Sequence, residues 1–128
     1  MNNILIADQN IETRKVMTEL CIEAGYSVTV STTAASVLHG ILKKTARVVL
    51  LGSSFDELEA TELIPLFKKC CRSLTIIVVS SEISLQSIIK LRTEGIFYHL
   101  LKPALPEDRE ELKQVVACAF QSPKNCYC

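Results

Sequence analysis

Five short apolar runs, each followed by a stretch of helical periodicity, constrain this chain more than any other feature. They are Ile4-Leu5-Ile6-Ala7, Val28-Thr29-Val30, Val48-Val49-Leu50-Leu51, Ile76-Ile77-Val78-Val79 and Phe97-Tyr98-His99-Leu100-Leu101. Most are continuous and β-branched, with little polar alternation. Strands buried on both faces of a parallel sheet read this way. Apolar stripes at helical spacing fill the gaps: Val16, Met17, Leu20, Cys21 and Ala24; Val37, Leu38, Ile41 and Leu42; Leu63, Ile64, Phe67, Cys70 and Cys71; Leu85, Ile88, Ile89 and Leu91; Leu112, Val115, Val116, Ala119 and Phe120. Gly25 and Gly95 supply helix stops, and Pro106 with Glu107-Asp108 supplies a helix start. Pro65 either belongs to the first turn of its helix or kinks it.

The order βαβαβαβαβα with right-handed crossovers predicts an α/β fold. It is a doubly wound, flavodoxin-like (βα)5 domain with a five-stranded parallel sheet of order 2-1-3-4-5. With 128 residues and 48% apolar content, one domain with one core is expected, over residues 1–121. Residues 122–128 lose periodicity and contain Pro123, so they read as a loose tail. Ligands of such folds gather at the carboxyl ends of the strands. Those ends fall at Asp8-Gln9, Gly52-Ser53, Ser80-Ser81 and Lys102-Pro103.

Charge and composition narrow the function classes. Fourteen basic and fourteen acidic residues give a net charge of zero, which does not point to nucleic acid. No segment has the roughly 18 uninterrupted apolar residues of a membrane span. The first residues run directly into a strand pattern with no basic lead-in, so a cytoplasmic protein with reduced thiols is expected. No phosphate-cradling glycine loop follows the first strand, which weakens an enzymatic reading.

The residues at the strand ends resemble those of the response-regulator receiver domain, the switch module of two-component signalling, over about residues 3–120. In that family the first strand ends in two acids that help hold Mg²⁺; here they are Asp8 and Gln9. The third strand ends in the aspartate that accepts a phosphoryl group; here it is Gly52. Ser80 matches the Thr or Ser of the fourth strand, and Lys102-Pro103 matches the Lys-Pro of the fifth. His99 stands where the family usually has a rotating Tyr or Phe, and Ala60 stands where it often has glycine.

Aspartyl phosphorylation requires a carboxylate nucleophile and a divalent ion. Glycine supplies no carboxylate, so no phosphorylation is expected at position 52. Asp8 is the pocket's one certain acid, so Mg²⁺ binding is expected to be weak or absent, and no other cofactor is implied. Lys102, without a phosphoryl partner, is expected to contact Asp8. His99 reads either as a titrating switch or as an aromatic stand-in.

The resemblance implies a non-enzymatic, divergent receiver acting through protein contact. Its face would be the fourth helix, fifth strand and fifth helix, with Gln86, Lys90, Arg92, Tyr98 and His99. A histidine kinase, an output domain or a second copy would be the partner. Two alternatives stand beside it. One is a phosphorylatable receiver using Asp56 or a serine. The other is a redox or metal sensor built on Cys70-Cys71 or on the tail's Cys126 and Cys128. Cys21 and Cys118 lie on core stripes and read as small hydrophobes.

Overall fold

The computed structural model describes residues 2–44, 46–81 and 84–121. The expected tail and its two cysteines lie outside the described residues. Five parallel strands form the main sheet: β1 (Asn3–Ala7), β2 (Ser27–Ser31), β3 (Val48–Gly52), β6 (Thr75–Ser80) and β7 (Tyr98–Leu101). Their order is β2-β1-β3-β6-β7, which is the expected 2-1-3-4-5 arrangement. The central strands β3 and β6 are buried along their whole length, as their unbroken apolar runs require.

Five helices cover the sheet: α1 (Ile11–Glu23), α2 (Ala34–Leu42), α3 (Ala60–Cys70), α4 (Leu85–Thr93) and α5 (Pro106–Gln121). One face is closed by α2, α3 and α4, through Val37, Ile41, Leu63, Ile64, Phe67 and Leu91. The opposite face is closed by α1 and α5, through Met17, Leu20, Leu112 and Val116. Strand alternation divides each strand between them: Leu5 and Ala7 go to the first core, Ile4 and Ile6 to the second.

Local chemistry fixes the ends. The Asn10 side chain accepts from the Thr13 N–H at 2.9 Å and opens α1. Thr33 does the same for α2 with the Ser36 N–H at 3.1 Å. Gly25 and Gly95 follow α1 and α4 with φ of +93° and +88°, a backbone that suits glycine. Pro65 sits in the interior of α3 and not in its first turn.

Two expectations are corrected. Cys118 is exposed, because the buried stripe of α5 runs through Leu112, Val115, Val116 and Ala119. The thiols are not uniformly reduced: Cys21, Cys70 and Cys118 are free, but Cys71 is disulfide-bonded. Cys21 is buried as its stripe implies, and burial pushes its thiol up to about 12. Of the pair ending α3, Cys71 faces the core and Cys70 does not.

One element has no counterpart in the sequence reading. After β3 the chain folds into a tight antiparallel hairpin, β4 (Ser54–Phe55) and β5 (Leu58–Glu59), with Ser54 opposite Glu59 and Phe55 opposite Leu58. Its two loop residues, Asp56 and Glu57, have φ of 53° and 64°. Two consecutive left-handed residues make the primed turn that suits a two-residue hairpin. Phe55 anchors the hairpin in the core with no exposed surface.

Candidate functional site

The carboxyl edge of the sheet carries two distinct constellations. Where β1 and β3 end, Asp8, Gln9, Asn10, Gly52, Ser53, Ser54 and Lys102 line a cleft of about 330 Å³. The four expected positions around it are therefore brought together on one edge of the sheet, though Ser80 belongs to a neighbouring cleft.

Asp8 is buried at 3% exposure. Its Oδ1 accepts the Asn10 N–H at 2.8 Å, and Arg14 donates to its carbonyl at 3.3 Å. Its Oδ2 is buried without a hydrogen-bond partner. Burial therefore raises the Asp8 carboxyl above its ordinary value; the Asn10 N–H and then the charges of Lys102 and Arg14 pull the other way. The expected contact with Lys102 is corrected here. Lys102 acts on Asp8 through space, and no ion pair joins the two.

The carboxyl of Asp8 lies over Gly52. A Cβ at position 52 would stand 3.0 Å from both Cγ and Oδ2 of Asp8, and 3.3 Å from Oδ1. These contacts are tighter than most carbon packing. A side chain at 52 would require the Asp8 carboxyl to shift by a few tenths of an ångström.

This edge is a poor match for a divalent ion. A hard dication takes six or more oxygens, with carboxylates among them. The cleft has one carboxylate, the Gln9 amide and main-chain carbonyls. Among the described residues, no three His, Cys, Asp or Glu side chains come together as metal ligands.

Asp56 does not belong to this edge. It sits at the hairpin tip, and its Oδ2 accepts the Ala34 N–H at 2.8 Å. Ala34 is the first residue of α2, so this carboxylate satisfies one of that helix's open donors, where a negative charge is also favoured. The residue named in the alternative reading as a substitute acceptor thus lies at the hairpin tip, bonded to α2.

The second constellation lies where β6 and β7 end. Ser80 Oγ and His99 Nε2 are 2.8 Å apart. His99 Nδ1 is buried with no hydrogen-bond partner, and burial lowers the imidazole below its ordinary value. The strand pairing puts this pair at the sheet edge beside α4. His99 walls two clefts. One, of about 590 Å³, also touches Ser53, Glu59, Thr61, Ser81 and Lys90. The other, of about 280 Å³, touches Ile88, Arg92, Ile96, Phe97 and Tyr98. The Ser80–His99 bond and both clefts escaped the sequence reading, although the alternation of β7 could have placed His99 opposite the buried Leu100.

The expected partner face is apolar at its surface. Leu85 and Ile89 on α4 are 73% and 58% exposed; Tyr98 and Leu101 on β7 are 44% and 41%; Leu105 is 59%. Among the described residues, no helix is long and apolar enough to cross a membrane.

Comparison with known proteins bears on this arrangement. The family described as "Response regulator receiver domain" matches residues 4–117. The chain is 28% identical over 121 residues to a DNA-binding transcriptional regulator NtrC of Rhizobium meliloti (strain 1021), covering 94% of this chain and 24% of that protein. It is 28% identical over 122 residues to the NtrC of Bradyrhizobium sp. (strain RP501 Parasponia), covering 95% and 25%. The chain thus spans about a quarter of the length of these relatives. Among solved structures, a receiver domain from Clostridium thermocellum aligns with a TM-score of 0.81 at 19% identity, covering 94% of this chain and 95% of that one. NtrX from Brucella abortus aligns at 0.82 and 20%, covering 94% and 27%. At such identities the structures establish the shared fold.

Proposed function

The chain belongs to the response-regulator receiver family, and from that footing we propose that it is a divergent receiver that signals by protein contact, without aspartyl phosphorylation at position 52. The observation that carries this reading is the Asp8 carboxyl packed against Gly52. The position offers no nucleophile, and the neighbouring acid crowds the place where a side chain would start. Mg²⁺ binds weakly or not at all on this reading, because one carboxylate is too few.

The contact surface is the face of α4, β7 and α5. Its exposed Leu85, Ile89, Tyr98, Leu101 and Leu105 supply apolar area beside Gln86, Lys90 and Arg92. The partner is a histidine kinase, an output domain or a second copy of the chain, and the setting is the cytoplasm. Neither nucleic acid nor membrane is a direct partner.

The test is incubation with acetyl phosphate and Mg²⁺, followed by intact mass. An unchanged mass is expected. A stoichiometric gain of one phosphoryl group overturns the reading, and repeating the assay on Asp56→Ala then asks whether that residue is the acceptor. A second reading, cysteine-based sensing, draws on the disulfide at Cys71. Equal thiol counts with and without reductant would sink it.

A further inference from the structure

We propose that His99 is a proton-operated latch for α4: on taking up a proton from solvent, the imidazole gives up its bond to Ser80, turns out from the sheet edge and lets α4 resettle. This goes beyond the reading above, since it holds whether or not the domain accepts a phosphoryl group.

The neutral ring has one partner, Ser80 Oγ at 2.8 Å from Nε2. Its other nitrogen, Nδ1, is buried with no hydrogen-bond partner. A second proton on the ring would bury a charged N–H there with nothing to receive it, a costly arrangement. Turning toward solvent relieves that cost.

There is room for the turn. His99 stands between clefts of about 590 and 280 Å³, and α4 residues line both. The helix is lightly held. Among its described side chains Leu91 alone is buried, while Leu85 and Ile89 are largely exposed.

The charged groups that border the ring's clefts are Lys90 of α4 and Glu59 of β5 in the larger one, and Arg92 of α4, beside the phenol of Tyr98, in the smaller one. The acids of α5 lie on the other side of the sheet, where Leu100 packs in the α1/α5 core. Burial lowers the ring's affinity for protons, so the latch is closed at neutral pH and opens in mild acid.

The test is an NMR titration of the full chain from about pH 8 to pH 5. The expected result is a His99 midpoint below the ordinary histidine value of 6.5, with the amide shifts of Lys90, Leu91 and Arg92 following the His99 curve. A midpoint at or above that value, or α4 amides that stay flat while His99 titrates, overturn the proposal. Two variants, each checked for folding by circular dichroism, sharpen it. His99→Phe should abolish the α4 response, and its persistence overturns the proposal. Ser80→Ala should already show, at pH 8, α4 shifts toward the acid form of the parent; unchanged shifts count against the latch.

Discussion

Where β1 and β3 end, Asp8 lies buried over Gly52 with contacts of 3.0 Å to the missing Cβ. Where β6 and β7 end, Ser80 and His99 share a 2.8 Å bond with a cleft on either side. Both regions border open clefts, but in the first the Asp8 carboxyl crowds position 52, and in the second His99 stands between two clefts. In the reading proposed above, phosphoryl chemistry is lost at the first end, and the parts with space to move remain at the other. The hairpin of β4 and β5 stands between them, since Ser53 and Ser54 border one cleft and Ser53 and Glu59 the other.

The hardest blow to this contrast falls on that dividing wall. Phe55→Ala removes a fully buried ring and should lower stability by about 3–5 kcal/mol in urea denaturation. A loss under about 1 kcal/mol would show that the hairpin does not hold the two regions apart. Next comes Gly52→Asp, which forces a second side chain into the space of Asp8. A loss of about 1–3 kcal/mol at pH 7 is expected from overpacking, with like charges adding to it. Gly52→Ala separates the steric part, and a neutral result for both would mean that the crowded end yields freely.

Asp56→Ala removes the carboxylate that holds the Ala34 N–H. The expected loss is about 0.5–2 kcal/mol, the range of a helix cap, read by thermal melting. The buried acid has a signature in pH. Because the Asp8 carboxyl is raised above its ordinary value of 3.8, its contribution to stability is fully present below that value and is lost as pH rises through the folded-state value. Asp8→Asn should therefore match or exceed the parent at neutral pH, with that advantage fading as pH falls toward 3.8. An advantage that grows in acid would reverse the sign and refute burial as the cause. Smallest in stability is Leu85→Ser with Ile89→Ser, expected within about 0.5 kcal/mol each because both are exposed. Association measured by analytical ultracentrifugation or against a partner kinase should nonetheless weaken.

Much of this architecture was legible in the residues. The unbroken runs at Val48–Leu51 and Ile76–Val79 announced central strands, and the strand ends named the edge on which Asp8, Gly52 and Lys102 meet. The hairpin was not legible, because its turn is Asp56-Glu57, without the glycine or asparagine that marks a left-handed pair. Cys118 was misplaced because one residue off a helical stripe looks the same in sequence as one on its margin. The relation of Asp8 to Lys102 was misjudged for a different reason. Opposite charges on the same edge of the sheet suggest a pair, but β3 and β6 lie between their strands, and the glycine at 52 gives the carboxyl somewhere else to lie.

That close packing bears on how the sequence can drift. Any path that puts an acid at 52 passes through an intermediate in which two carboxyls compete for one volume, unless Asp8 has already changed or found another rotamer. The order of substitutions then matters, with a change or a new rotamer at Asp8 coming before an acid at 52.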